Sequence, residues 1–194
     1  GSTHRFYFEN LRIFDREAYG KEAGVELLMG VELNILNTTG KVDLEEKALR
    51  SVDYAIASLH DPCINPGTEL DNTTAIMSAM WVPQVKIIGH PDNPKFPVDF
   101  DQIAKAAAER HVLLECNNSS YRPGGSRAGS RDLAKKMLQA CKKYGTHVIM
   151  GSDAHIDLDV GNHSLSEEVI READFPEELV INSSPEKFKE WIRA

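Results

Sequence analysis

Short runs rich in β-branched residues alternate with amphipathic helical stretches along this chain of 194 residues. Such alternation is typical of repeated strand–helix–strand units, which fold into a parallel sheet. The pattern predicts six strands, which are Val31–Ile35, Val52–Ser58, Val85–Ile88, Val112–Glu115, His147–Met150 and Leu179–Ile181. At roughly 100 to 200 residues per domain, the length indicates one α/β domain over residues 1–194.

Three helices carry clear end signals. Asp99 is predicted to cap one helix, with Gln102 three residues later completing a capping box. Ser130 is predicted to cap the next helix, which ends at Gly145. Ser184, directly before a proline, is predicted to open the last one.

Composition narrows the classes of function. The chain has 22 Lys and Arg against 30 Asp and Glu, a net charge of −8, which disfavours general nucleic-acid binding. Its apolar runs are far shorter than the ~20 residues of a membrane span, so no membrane partner is expected. Three widely separated cysteines indicate reduced thiols and a cytoplasmic protein. Gly1 and Ser2 are interpreted as the remnant of an expression tag.

Polar residues stand directly after several predicted strands. These residues are His60, His90, Asn117, Asp153 and His155. From His60 through His90 and Asn117 to Asp153 the intervals are 30, 27 and 36 residues, which is about the length of one strand–helix–strand step. Because the carboxyl ends of parallel strands meet at one rim, these side chains are expected to converge there, where such folds place their active sites.

The converging side chains have the chemistry of a metal site. Glu32, in the first strand, joins His60, His90, Asp153 and His155 as a predicted ligand. Imidazole and carboxylate donors suit zinc, manganese or iron. Asp153 and His155 are two residues apart, so both side chains point to one side of an extended chain.

Four other histidines do not share this pattern. His111 and His147 precede strands and so belong to the opposite rim, while His4 and His163 follow no strand. His111 and His147 are expected to be structural or exposed to solvent.

A loop over residues 117–131 is rich in arginine, glycine and serine and contains no acidic residue. Its arginines, Arg122, Arg127 and Arg131, are predicted to bind a substrate phosphate, since the guanidinium group matches phosphate geometry. The alternative interpretation is a mobile, solvated loop.

Five stretches carry a resemblance to a known family. They are Gly30-Val-Glu-Leu-Asn-Ile, Ser58-Leu-His-Asp-Pro, Ile88-Gly-His-Pro-Asp-Asn-Pro, Leu114-Glu-Cys-Asn-Asn-Ser-Ser and Gly151-Ser-Asp-Ala-His. In this order, over nearly the whole chain, they resemble the PHP family, named for polymerase and histidinol phosphatase, and especially its stand-alone YcdX-type phosphatases.

The resemblance implies a distorted (β/α)7 TIM-like barrel with a trinuclear site, usually of zinc or manganese, that hydrolyses phosphate esters. Glu32 matches the bridging glutamate of the family, and His60 and His90 match its mid-chain histidine ligands. Asp153 and His155 match its final ligand pair.

This chain departs from the family pattern upstream of Glu32. Family members begin with a strand that bears His-x-His, and two further ligand histidines follow before the glutamate, whereas here only His4 precedes Glu32. The expectation is therefore an N-terminally incomplete PHP-like domain that lacks its first strand or strands and holds fewer than three metals. An open barrel edge would favour a homo-oligomer.

The resulting hypothesis is a metal-dependent phosphatase that cleaves phosphate monoesters of small molecules with a metal-activated hydroxide. Asp153 and His155 are the predicted catalytic residues, with His155 as a proton donor. This shortened chain is expected to have impaired activity. Two alternatives stay open: an amidohydrolase-type enzyme acting on C–N bonds, and a non-catalytic PHP-like module that binds metal or a polymerase.

Overall fold

The computed structural model describes residues 5–11 and 13–194, so His4 lies outside the described residues. Its centre is a parallel sheet in the order β1-β2-β3-β4-β5. The strands are β1 Gly30–Asn34, β2 Tyr54–Ser58, β3 Val85–Ile88, β4 Leu113–Asn117 and β5 Val148–Gly151. Within the described part of the chain, β1 and β5 are the two edges of the sheet.

Eight α-helices accompany the sheet in the described ranges. They are α1 Arg5–Leu11, α2 Arg16–Ala23, α3 Glu46–Leu49, α4 Glu69–Ala79, α5 Phe100–Arg110, α6 Ser130–Tyr144, α7 Ser164–Glu172 and α8 Pro185–Arg193. None of these helices combines the length and the apolar character that a bilayer span requires.

Five of the six predicted strands are confirmed, Val85–Ile88 with its predicted ends and the others with ends shifted by no more than two residues, but the sixth is wrong. The segment predicted as strand Leu179–Ile181 consists of 3-10 turns that flank Val180, which forms a single bridge to Val148. The reason is a side chain. Asn182 donates from Nδ2 to the Met150 carbonyl at 3.0 Å and accepts from the Met150 amide at 2.7 Å, in place of a continuing backbone ladder.

The predicted helix ends are confirmed for Asp99, Gly145 and Ser184. Gln102, however, does not complete a capping box. Its amide donates to the Asp99 carboxylate at 2.7 Å, because the Asp99 backbone N–H already donates to a threonine hydroxyl on α4. Ser130 was also predicted to cap a helix, but it is the first residue of α6 and its hydroxyl donates to a backbone carbonyl of the β3–α5 loop.

The two faces of the sheet are buried differently. Leu33, Ile88 and Leu114 belong to the main core, which α4, α5 and α6 cover. The side chains that alternate with these lie on the opposite face of the sheet. The lower half of that face, toward the amino ends of the strands, is apolar, and there Ile87 and Leu113 pack beneath the aromatic residues of α8. The upper half of that face, toward the carboxyl ends of the strands, is polar.

His111 and His147 lie at the amino ends of β4 and β5, as predicted, and both contact Trp191 of α8. The His111 ring stacks on the indole with centroids 3.6 Å apart, and the His147 ring is 4.7 Å away. Burial lowers the pKa of His111, helped by the charge of Lys86, and burial together with the charge of His111 lowers the pKa of His147.

These lowered pKa values predict that protonation of the pair opposes folding. At these two histidines the unfolded chain binds more protons than the folded chain does. The free energy of unfolding should therefore decrease as the pH falls through about 6.5. Replacing both histidines with phenylalanine keeps the rings and removes the titration. The urea midpoint of the double variant should therefore fall less than that of the wild type between pH 7.5 and 5.5.

The matched control is His163→Phe, at the start of α7 and outside the described ring contacts of Trp191, which should keep the pH dependence of the wild type. An equal fall in the midpoint of the double variant and the wild type would show that the pair does not couple protonation to folding.

Candidate metal centre

Three predicted ligands meet on the polar upper half of the sheet. Glu32 projects from β1, and His60 and His90 each follow a strand end, after β2 and β3. His60 Nε2 lies 3.1 Å from His90 Nε2, and Glu32 Oε1 lies 3.4 Å from each of these nitrogens. Neighbouring parallel strands place the three side chains side by side because all three leave the sheet on the same face.

The spacing of these donor atoms fits a metal ion. Tetrahedral zinc with bonds of 2.0–2.1 Å holds neighbouring ligand atoms about 3.3 Å apart, close to the three distances seen here. Two imidazole nitrogens and one carboxylate oxygen are also a donor set that zinc and manganese accept. Among the described residues, Glu32, His60 and His90 form the group of three whose ligand atoms lie within 4.8 Å of one another.

The protonation states of Glu32 and His90 favour metal binding. Burial raises the pKa of Glu32, but its close contacts with His60, His90 and Ser58 outweigh this effect, so the net pKa is lowered. The Ser58 hydroxyl donates to Glu32 Oε1 at 2.7 Å and orients the carboxylate. Burial lowers the pKa of His90, with Glu32 opposing and the charge of Arg127 assisting, which keeps this imidazole neutral near pH 7.

A buried carboxylate supports His90 from below. Glu115 of β4 accepts the His90 backbone N–H at 2.9 Å and an amide hydrogen of Asn117 at 3.2 Å. Burial raises the pKa of Glu115 to about 7. His90 has a φ of +32°, which is rare for a residue with a side chain, and the Glu115 bond helps to hold it there.

Two glycines make room for the polar groups of the site. A Cβ at Gly89 would lie 2.2 Å from the Ser58 hydroxyl, and one at Gly151 would lie 2.0 Å from Glu115 Oε1. Both distances are shorter than van der Waals contact, so a larger residue at either strand end would displace the Ser58 or the Glu115 side chain.

The remaining two predicted ligands, Asp153 and His155, lie at the same rim but outside the group of three. Asp153 has a φ of +51°, and its Oδ2 accepts from Arg127 Nη1 at 3.4 Å. His155 is 84% exposed, with Nδ1 3.0 Å from the Asp153 carbonyl oxygen. The structure thus brings Glu32, His60 and His90 together and leaves Asp153 and His155 beside the arginine loop.

The three predicted phosphate-binding arginines have different surroundings. Arg127 is mostly buried near the site and also donates to the Ser120 hydroxyl at 3.2 Å. Arg122 is half-exposed and pairs with Asp159 at 2.8 Å. Arg131 lies on α6, where it contacts two glutamates of α7 at 2.6 and 3.1 Å.

Three polar residues of the site were not predicted from the sequence. They are Asn34, Ser58 and Glu115, which contact the ligand side chains or their backbone. The sequence did contain a signal for Glu115, since an ionisable residue within a run of apolar strand residues is rarely buried without a partner.

A parallel α/β sheet with polar, ionisable side chains gathered at the carboxyl ends of its strands is the arrangement of many α/β enzymes. No family model matched the chain. It is 43% identical over 194 residues to a probable phosphatase of Clostridium acetobutylicum, covering 100% of this chain and 77% of the relative. It is 42% identical over 193 residues to a probable phosphatase of Caldicellulosiruptor saccharolyticus, covering 100% of this chain and 78% of the relative. The chain therefore belongs to this family of bacterial probable phosphatases, which are hydrolases.

The fold is also similar to that of a solved enzyme. Histidinol phosphate phosphatase of Lactococcus lactis, crystallised with zinc, L-histidinol and phosphate, matches with a TM-score of 0.55. The match covers 90% of this chain and 76% of that one at 17% identity.

The contact between Gly151 and Glu115 predicts a coupled effect on stability. Gly151→Ala should lower the free energy of unfolding by about 1–3 kcal/mol, because the new methyl group displaces a buried carboxylate. Glu115→Ala should cost a similar amount by leaving the His90 N–H without its acceptor. In the double variant the methyl group meets open space, so the combined loss measured by urea unfolding should be smaller than the sum. Strictly additive losses would contradict the contact.

Proposed function

We propose that this chain hydrolyses phosphate monoesters of small molecules with a divalent metal, zinc or manganese, with iron a further option. The observation that carries the proposal is the close triangle formed by Glu32 Oε1, His60 Nε2 and His90 Nε2. Membership of a family of probable phosphatases supports the choice of reaction. The neighbour crystallised with L-histidinol and phosphate supports a phosphorylated small molecule as the substrate class.

Glu32, His60 and His90 would hold the metal, and Asp153 and His155 are proposed as ligands of further metal positions at the same rim. A divalent ion at such a site lowers the pKa of bound water and stabilises negative charge on a phosphoryl group. Ser58 keeps Glu32 turned toward the two imidazoles through its 2.7 Å hydrogen bond.

His155 and Asp153 are also the proposed catalytic residues. The Nδ1 atom of His155 faces the Asp153 carbonyl oxygen, and a carbonyl only accepts, so Nδ1 carries a hydrogen. The Nε2 atom of this exposed ring is then the one left to ligate a metal or, where no metal is bound to it, to exchange a proton with the leaving-group oxygen. The Asp153 carboxylate faces Arg127 and would direct its guanidinium toward the site.

Arg127 is the arginine best placed to bind the substrate phosphate. It lies close enough to His90 to lower the pKa of that residue, and it is mostly shielded from solvent, which strengthens its bond to an anion. Arg122 would contribute from the more exposed part of the loop. Arg131 pairs with two glutamates of α7 and would serve the packing of α6 against α7 instead.

We also propose that the five-stranded sheet is part of a distorted (β/α)7 barrel of the PHP type, as in YcdX-like phosphatases. The order of the sequence motifs and the fold match to histidinol phosphate phosphatase support this assignment. Glu32 lies on the edge strand β1, so a strand added beside β1, from this polypeptide or from a second copy, would bring further donors toward the site.

Removal of metal tests the proposal most simply. Hydrolysis of p-nitrophenyl phosphate should be abolished by a chelator and restored by added zinc or manganese. His60→Ala and His90→Ala should each lower kcat/KM by at least about 100-fold, since each removes one ligand of the metal. His163→Ala, at the start of α7, is the control and should retain activity.

Undiminished turnover in both ligand variants would reject the proposed function. Faster cleavage of an amide or lactam than of any phosphate ester would instead identify a hydrolase of the amidohydrolase type.

The role of Arg127 predicts a specific loss. Arg127→Met should reduce kcat/KM for a phosphate monoester about 10- to 100-fold, the value of one or two charge-assisted hydrogen bonds, with part of the loss in KM. Arg131→Met removes the same charge from the α6–α7 contact and should change kcat/KM less than twofold. An Arg131 effect as large as that of Arg127 would contradict this assignment.

A further inference from the structure

The tautomer of His60 is set by two residues that have no metal-ligand role in the proposed function. Asn34, at the end of β1, places its Oδ1 atom 2.8 Å from His60 Nδ1. Register places Asn34 opposite Ser58, two positions before His60, so the contact follows directly from the pairing of β1 with β2.

Asp43 in turn holds Asn34. The Asn34 backbone N–H donates to Asp43 Oδ1 at 2.9 Å, and the Asn34 side-chain amide lies 2.6 Å from Asp43 Oδ2. The chain reaches this position through a short hairpin, in which Ile35 bridges Val42 in antiparallel fashion and the Leu36 N–H donates to the Lys41 carbonyl at 2.7 Å.

With Asp43 ionised and the His60 ring neutral, hydrogen-bond chemistry allows one arrangement of Asp43, Asn34 and His60. A carboxylate only accepts, so the Asn34 group that faces Asp43 must be its NH2. The Asn34 oxygen must then face His60, and because an amide oxygen also only accepts, the hydrogen of His60 lies on Nδ1. The lone pair of the neutral ring is left on Nε2, the atom that lies 3.1 Å from His90 Nε2 and 3.4 Å from Glu32 Oε1.

We infer that Asp43 and Asn34 are positioning residues that hold His60 in the Nδ1–H tautomer and so present Nε2 to the metal. The tautomer stands on the hydrogen bonds alone, whereas its consequence for metal affinity rests on the proposed function. A hydrogen-bond partner on the second ring nitrogen of a ligand histidine typically contributes 10- to 100-fold in metal affinity. Both residues are half-buried, which protects these bonds from competition with water.

The tautomer is measurable in the metal-free protein. A long-range ¹H–¹⁵N correlation spectrum of ¹⁵N-histidine-labelled protein at pH 8 distinguishes protonated from unprotonated ring nitrogens, and a His60→Gln sample assigns the signal by its loss. Wild-type His60 should show a protonated Nδ1 and an unprotonated Nε2. A predominant Nε2–H form in the wild type would overturn the inference.

Two variants test the role of each positioning residue. Asn34→Leu keeps a similar volume and removes the acceptor, so His60 should move toward the Nε2–H form that free imidazole favours in water. Zinc affinity, measured by competition with a chromophoric chelator, should fall about 10- to 100-fold. Asp43→Asn allows the Asn34 side-chain amide to rotate and exchange its oxygen and NH2 positions. The His60 tautomer mixture and the zinc affinity of this variant should therefore lie between those of the wild type and Asn34→Leu.

Asp132→Asn is the matched control, because it makes the same change of side chain on the exposed surface of α6. It should leave the tautomer and zinc affinity unchanged. An unchanged His60 signal in both Asn34→Leu and Asp43→Asn would refute the inference, and if Asn34→Leu fails to fold, Asp43→Asn decides alone.

The two proposals fail in different ways. A wild-type Nδ1–H tautomer without zinc binding would leave the assignment of Asn34 and Asp43 in place and reject the metal-dependent function. Tight zinc binding with an Nε2–H tautomer of His60 would leave the metal-dependent function in place and reject the assignment of Asn34 and Asp43.

Discussion

The upper half of this sheet depends on one close contact. The Nε2 atoms of His60 and His90 lie 3.1 Å apart beside the Glu32 carboxylate. Electron-rich atoms held this close in a partly buried site favour a cation among them, and their spacing matches the coordination sphere of zinc. Each of the three groups is restrained by another residue: Ser58 restrains Glu32, Asn34 restrains His60 and Glu115 restrains the His90 backbone. The ligands are therefore held in place by the folded chain itself, which lowers the entropic cost of binding a metal.

The face of the sheet that carries this site has an apolar half that contributes to stability and a polar half that holds the candidate ligands. Toward the amino ends, Ile87 and Leu113 pack beneath α8, whose Trp191 is flanked by His111 and His147. Toward the carboxyl ends, the residues in the same rows are polar or glycine, because ligand side chains and Glu115 occupy the space that apolar side chains would otherwise fill. The lower half therefore needs side chains of the right volume for packing, and the upper half needs metal-ligand atoms in the right positions. The same strands meet both requirements.

Most of the strands and the meeting of the two histidines could be predicted from the sequence, because they depend on local patterns of residues. Strand positions follow from apolar runs, and the convergence of His60 and His90 follows from their equal distance from successive strand ends. The segment Leu179–Ile181 was mispredicted because its apolar pattern does not show that the Asn182 side chain takes over the strand edge. Asn34, Asp43 and Glu115 could not be assigned roles, since these depend on strand register, a hairpin and the depth of one carboxylate. Arg131 could not be distinguished from Arg127 by sequence alone, as only the structure shows that Arg127 faces Asp153 at the rim of the sheet and Arg131 faces the glutamates of α7.

A crystal soaked with zinc or manganese and measured at the absorption edge of that metal gives the most direct test of the central claim. An anomalous peak should lie about 2.0–2.2 Å from Glu32 Oε1, His60 Nε2 and His90 Nε2 together. A fully loaded crystal with its metal elsewhere, and with these three side chains still in mutual contact, would contradict the account.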